Sequence, residues 1–225
     1  MTPPRLPRHD TTHTIRRIAH RAGNGRPSLR AAIAAHVDWI EIDLWYQYGR
    51  LVARHERGVW RLPLVYDRWK LHPHFRPLYL EEIIRLTAAG PGLLLDFKGT
   101  HPPLASTVAR AIQAGGAAGR TAVCGQFWRP LDEIGDLEPR VQRFYSLGRP
   151  EHVGEFLRRL DCGLTAAGVS IGHWLLTEPI ATRIRERGLE VFVWTVNDPQ
   201  LASALVDRGA TGIISDKLDL LAELP

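Results

Sequence analysis

Lysine is nearly missing from this chain. Lys70, Lys98 and Lys217 are the only ones, although Lys and Arg together number 29 in 225 residues. A lysine inside an apolar strand therefore needs a reason, and Lys98 is such a lysine. Cysteine is equally scarce. Cys124 and Cys162 form neither a disulfide framework nor a metal-type pair, so both are expected to be buried thiols in a reducing compartment. No apolar run approaches the roughly 18 residues of a membrane span. The opening MTPPRLPRHDTTHT has positive charge but no apolar stretch, so no secretory signal is expected there. Residues 1–13 are expected to form a loose arm on a cytoplasmic protein. Concentrated basic charge is lacking as well. The net charge of +5 is spread along the chain, as in Arg158-Arg159 and Arg183, Arg185 and Arg187, which fits solvated helix faces better than a nucleic-acid partner. Finally, no G-x-G-x-x-G follows the first strand, which removes the fingerprint of a dinucleotide-binding open sheet.

What is present is a regular alternation of β-rich and helical runs, the pattern of a parallel sheet with crossover helices. Strands are predicted at TIRRIAH, WIEIDLWYQ, GLLLDFKG, TAVCGQF, VQRFYSLG, AAGVSIGHW, EVFVWTVN and TGIISD. A helix follows each, the first with Ser28 as its N-cap. RLVARHE is read as an excursion of the second strand after a turn at Tyr48-Gly49, and GVWRLPLVYDRWKLHPHFRP as an irregular stretch. Eight strands and eight helices predict one α/β domain over residues 1–225, a (β/α)8 TIM barrel. Polar residues gather at strand C-terminal ends, the face where such barrels place their sites.

Glu41 and Asp43 lie two apart in a strand, so both project to one side. Two carboxylates facing a barrel interior are costly unless a cation neutralises them. An arginine partner or a loop cap would also suffice. In GLLLDFKG, Asp96 and Lys98 again share one face. Asp96 completes a three-carboxylate set for a hard divalent cation, Mg2+ or Ca2+, and Lys98 supplies a point charge for a phosphate oxygen. The structural alternative is a mutual Asp96–Lys98 bridge, a poor return for a buried pair. His20 and Arg21 end the first strand and His55 ends the excursion. Two imidazoles at one rim can divide general base and general acid, and the Arg21 fork suits phosphate. The other histidines read as structural, with His173 held in reserve as a pocket residue.

The chain resembles the glycerophosphodiester phosphodiesterases from Ile15 to Leu221. IAHRAGNG is similar to that family's His-Arg opening. IEIDLWYQYGRLVARHE resembles its Glu-x-Asp strand, hairpin and second histidine. PLYLEEI, LLLDFKG, VFVWTVND and GIISDK are similar to later segments in the same order. The resemblance implies a TIM barrel of the PLC-like phosphodiesterase type with one divalent metal ion held by Glu41, Asp43 and Asp96. It implies His20 and His55 as the acid/base pair, Arg21 and Lys98 as phosphate holders, and Trp194 as a pocket wall. Read from the residues alone, Trp194 fits a core filler as well. There are departures: Asp96 stands where the family usually has Glu, Arg26-Pro27-Ser28 where it has Pro-Glu-Asn, and Glu56 where it has Asp. The expected substrate is a small phosphodiester of glycerol and an alcohol. A lysophospholipid remains open, because Trp45, Trp60, Trp69, Tyr46, Tyr48 and Tyr66 would give an aromatic mouth able to contact lipid. A non-catalytic barrel binding a phosphorylated ligand also remains open.

Overall fold

The computed structural model describes residues 14–55 and 77–225, together with the backbone of 64–67 and 70–73. The expected arm at 1–13, Glu56, and the side chains of Trp60, Tyr66 and Trp69 lie outside the described residues.

The chain runs β1 (Arg16–Ala19), α1 (Arg26–Ala34), β2 (Trp39–Gln47), β3 (Arg50–Ala53), β4 (Leu64–Asp67), β5 (Lys70–Pro73) and β6 (Leu78–Tyr79). It continues α2 (Leu80–Leu86), β7 (Gly92–Phe97), α3 (Pro103–Ala114), β8 (Thr121–Gly125), α4 (Trp128–Leu137), β9 (Gln142–Leu147) and α5 (Pro150–Asp161). It ends β10 (Gly168–Gly172), α6 (Glu178–Arg185), β11 (Glu190–Trp194), α7 (Pro199–Asp207), β12 (Gly212–Ser215) and α8 (Leu218–Ala222). Strands β2, β7, β8, β9, β10, β11 and β12 pair in parallel in that order. β1 closes the ring by pairing in parallel with both β12 and β2. The fold is the expected eight-stranded barrel with surrounding helices, and the closure excludes an open doubly wound sheet.

Two sequence signals place the elements. Proline stands in the first turn of α1, α3, α5, α6 and α7, where its missing N–H has no helical partner to lose. Asp198 caps α7 by accepting from the Leu201 N–H at 2.7 Å. The β2–β3 hairpin turns on Tyr48 and Gly49, both with positive φ (51° and 78°), which matches the twist of the flanking strands.

Along each barrel strand alternate residues face opposite ways. One set, including Ile42, Leu95, Val123, Tyr145 and Ile213, packs against the helices as the main core. The other set fills the barrel: Ile18, Leu94, Ala122, Phe144, Phe192 and Ile214 form a separate apolar plug. Phe144 and Phe192 stack in it at 4.2 Å. Their room comes from glycine in register. A Cβ on Gly168 would stand 2.8 Å from the Phe144 ring, and one on Gly212 2.6 Å from Phe192. The plug occupies the N-terminal half of the barrel and leaves the C-terminal half to polar side chains.

Three expectations need correction. Ser28 does not cap α1. The cap is Gly25, and Ser28 sits within the first turn with its hydroxyl donating to the Gly25 and Ala22 carbonyls. Cys162 is exposed rather than buried, because α5 ends just before it. The stretch read as irregular contains an antiparallel ladder, β4 with β5. The helix after that stretch begins at Leu80, since Leu78 and Tyr79 pair with β3.

Candidate active site

The barrel's polar half surrounds one cavity of about 230 Å3. His20, Arg21, Glu41, Asp43, His55, Asp96, Lys98 and Trp194 all line it, so these eight candidates reach the same space. Glu41 and Asp43 come from β2, and Asp43 lies in register with Asp96 on β7. One ligand oxygen from each of the three carboxylates lies within 4.8 Å of the others. Glu41 and Asp43 are buried, while Asp96 is partly exposed.

The cations sit among these anions. Lys98 Nζ is 2.7 Å from Asp43 Oδ1 and also contacts Asp96, so the bridge weighed from sequence exists, shared between two carboxylates. Burial works against the Lys98 ammonium, but the charges of Asp96, Asp43 and Glu41 outweigh it and raise its pKa above the ordinary lysine value. Burial would raise Asp43 as well; the charge and hydrogen bond of Lys98, with help from Asn24, bring it below the ordinary value instead. At Glu41 the Lys98 charge and the Arg21 N–H work the same way but are outweighed. Burial first, then repulsion from Asp43 and Asp96, push its pKa well up.

Arg21 has positive φ (53°), an uncommon conformation for a residue with a side chain and one found at functional sites. It turns the Arg21 N–H onto Glu41 Oε2 at 2.6 Å. The guanidinium Nε stands 3.6 Å from Asp43 Oδ2, and its proton is buried without a hydrogen-bond partner. His20 Nδ1 lies 2.7 Å from Asp216 Oδ1. Burial lowers the His20 pKa despite that carboxylate. Trp194 lines the cavity and meets Trp174 edge-on at 5.2 Å, with Trp174 56% exposed at the mouth. His173, held in reserve, does not line this cavity. Its N–H donates to the Trp194 carbonyl and its ring packs on Trp174.

Sequence reasoning missed several participants. Asn24 clamps Asp43 from two sides: its amide donates to Asp43 Oδ2 at 2.6 Å and its carbonyl accepts from the Asp43 N–H at 3.0 Å. It sits just before α1, ahead of the stretch that lacks Pro-Glu-Asn. Asp216 follows β12 and Asn197 follows β11, so the strand-end rule that found His20 could have found both. Cys124, Ser146 and Ser170 line the cavity from β8, β9 and β10, at inward positions where a small polar residue closes an apolar run.

The model of the glycerophosphoryl diester phosphodiesterase family matches residues 161–220, which span β10 to β12 and carry Trp194, Asn197 and Asp216. The chain is similar to that family. This bears out the resemblance drawn from the strand motifs. The Mycobacterium tuberculosis protein named "Probable glycerophosphodiester phosphodiesterase 2" is 31% identical over 83 residues, which are 35% of this chain and 29% of that protein. The matched stretch thus spans under a third of that relative. Among solved structures, a glycerophosphodiester phosphodiesterase from Parabacteroides distasonis superposes with a TM-score of 0.71 at 20% identity, covering 88% of this chain and 91% of its own. A phosphodiesterase from Oleispira antarctica, solved with the product sn-glycerol-3-phosphate, gives 0.68 at 22%, covering 88% and 92%. At such identities the superpositions establish the fold.

Proposed function

We propose that this barrel is a phosphoric diester hydrolase that cleaves glycerophosphodiesters to glycerol phosphate and an alcohol, in the cytoplasm. The observation that carries the reading is the convergence of two histidines, three carboxylates and two cations on one cavity. The product held by the Oleispira relative is of the same chemical class.

The donor set fits a hard divalent cation, Mg2+ or Ca2+. It offers three carboxylates close enough to share one ion, and oxygen is the ligand such ions prefer. Glu41, held anionic with difficulty in the metal-free protein, is the residue such an ion would most relieve. Bound there, the ion would offset charge developing on the non-bridging phosphate oxygens. The chain's own groups do the rest. The free Arg21 Nε–H and the Lys98 ammonium hold phosphate oxygens, Arg21 as a planar fork and Lys98 as a point charge. His20 and His55 move the protons, one to the leaving oxygen and one from the attacking hydroxyl. Trp194 forms a wall of the substrate pocket.

One observation favours a second substrate class. The Trp194–Trp174 pair carries apolar surface from the cavity out to the mouth, which suits the glycerol-acyl part of a lysophospholipid. Hydrolysis of glycerophosphocholine and of lysophosphatidylcholine, each with Mg2+, Ca2+ or chelator, tests both. Metal-dependent turnover of the first is expected. Folded protein inert toward both under every condition would overturn the enzyme reading and leave a ligand-binding barrel.

A further inference from the structure

We propose that Asp216 is a positioning residue that locks His20 in its Nδ1-protonated tautomer and presents bare Nε2 to the cavity, which makes His20 the base of the histidine pair. The inference rests on His20 being catalytic, as proposed above.

The geometry is closed at each link. Asn197 Oδ1 accepts from the Asp216 backbone N–H at 2.9 Å and from Ser215 Oγ at 2.9 Å. A backbone N–H can only donate, so the Asn197 carbonyl must face it and the amide must face the other way. That amide donates to Asp216 Oδ2 at 2.8 Å, which leaves Oδ1 for His20 Nδ1 at 2.7 Å. An ionised carboxylate only accepts, so the proton on this link belongs to Nδ1. Asp216 is 47% exposed while the His20 side chain is 15% exposed, so water can hydrate the carboxylate but hardly competes for the imidazole. The three residues follow β1, β11 and β12, neighbours in the barrel wall, and the contact between them does not depend on a mobile connection.

The protons then balance. His20 Nε2 takes the proton of the attacking hydroxyl as its oxygen bonds phosphorus. Asp216 stabilises the imidazolium through Nδ1–H. The ester bond to the alcohol breaks, and His55 gives its proton to that oxygen. Water returns one proton to His55 and removes one from His20 between turnovers.

The test uses the full chain with 15N-labelled histidine, the His20 signals being assigned by their loss in His20→Asn. Wild-type protein should show His20 protonated on Nδ1, and Asp216→Ala should shift it to a tautomer mixture. On glycerophosphocholine, Asp216→Ala should lower kcat about 10–100-fold with KM unchanged. Asp216→Asn should lose at least as much, because the Asn197 amide claims its oxygen and turns its NH2 onto His20 Nδ1, which favours the Nε2-protonated tautomer. Asn197→Ala should fall between wild type and Asp216→Ala, and it carries the test if Asp216→Ala does not fold. Protonation on Nε2 in the wild type, or a loss confined to KM, would overturn the proposal. Because the spectra need no substrate, they decide the tautomer even if glycerophosphodiesters prove not to be hydrolysed.

Discussion

On the outer face of the barrel wall, Asp132 of α4 accepts from the Tyr145 hydroxyl at 2.5 Å and from Arg159 at 2.9 and 3.0 Å. The Arg159 guanidinium also lies over Trp128 and Tyr145, 5.5 and 5.2 Å from the ring centres. One anion meets one cation and one hydroxyl there, and each finds a partner. On the inner face, three carboxylates share Lys98 and Arg21, Glu41 is pushed toward its protonated form, and an Arg21 N–H is buried with nothing to bond. The outer network is what a chain builds to hold α4 and α5 against β9. The inner one is what remains when polar groups are arranged for something that binds. The Asp132 hydrogen bonds are satisfied as they stand, whereas the carboxylates of the cavity keep an unmet demand for positive charge whose cost the rest of the fold carries.

That contrast can be broken in order of expected effect. His20→Ala and His55→Ala should each lower turnover about 10²–10⁴-fold while thermal melts stay near wild type; full activity in either would remove that histidine from the mechanism. Next is the response to a divalent ion. At about 100 times its Kd, Mg2+ or Ca2+ should raise Tm by about 5–10 °C. Glu41→Gln should abolish that rise yet leave the metal-free protein at least as stable as wild type. A destabilised metal-free variant would mean that Glu41 is structural after all.

Asp132→Ala should behave the opposite way. It strands the buried Tyr145 hydroxyl and should cost about 1–3 kcal/mol of stability with kcat unchanged, as denaturant titration and kinetics would show. The smallest effect belongs to Glu138, held by hydrogen bonds from Arg140 and then Gln113 that bring its pKa down from the ordinary 4.5 to about 2. A lowered carboxylate pKa stabilises the fold above pH 4.5, and the contribution fades as pH falls toward 2. Glu138→Gln should therefore be less stable than wild type at pH 7, with the difference closing by pH 2. A constant difference across that range would assign the effect to packing.

Much of the site was legible because strand geometry is local. A period of two puts Glu41 with Asp43 and Asp96 with Lys98 without knowledge of any other strand, and strand ends point to His20 and His55. Asn24, Asn197 and Asp216 were less legible because nothing nearby in sequence marks their partners. The His20–Asp216 contact joins residues 196 apart, and Asn24 looks like any residue of a glycine-rich turn. Cys162 and Ser28 were misread for a related reason: exposure and capping depend on where a helix stops and starts, which a residue or two decides.

The alternation of strand and helix, the inward pairing of acidic and basic residues, and the proline-marked helix starts were set by the sequence alone, because each follows from sterics and spacing within a few residues. Ring closure decided the rest. Pairing β1 with both β2 and β12 brings the first and last strands together. Only then does Asp216 meet His20, and only then do three carboxylates acquire a common centre that a cation could occupy.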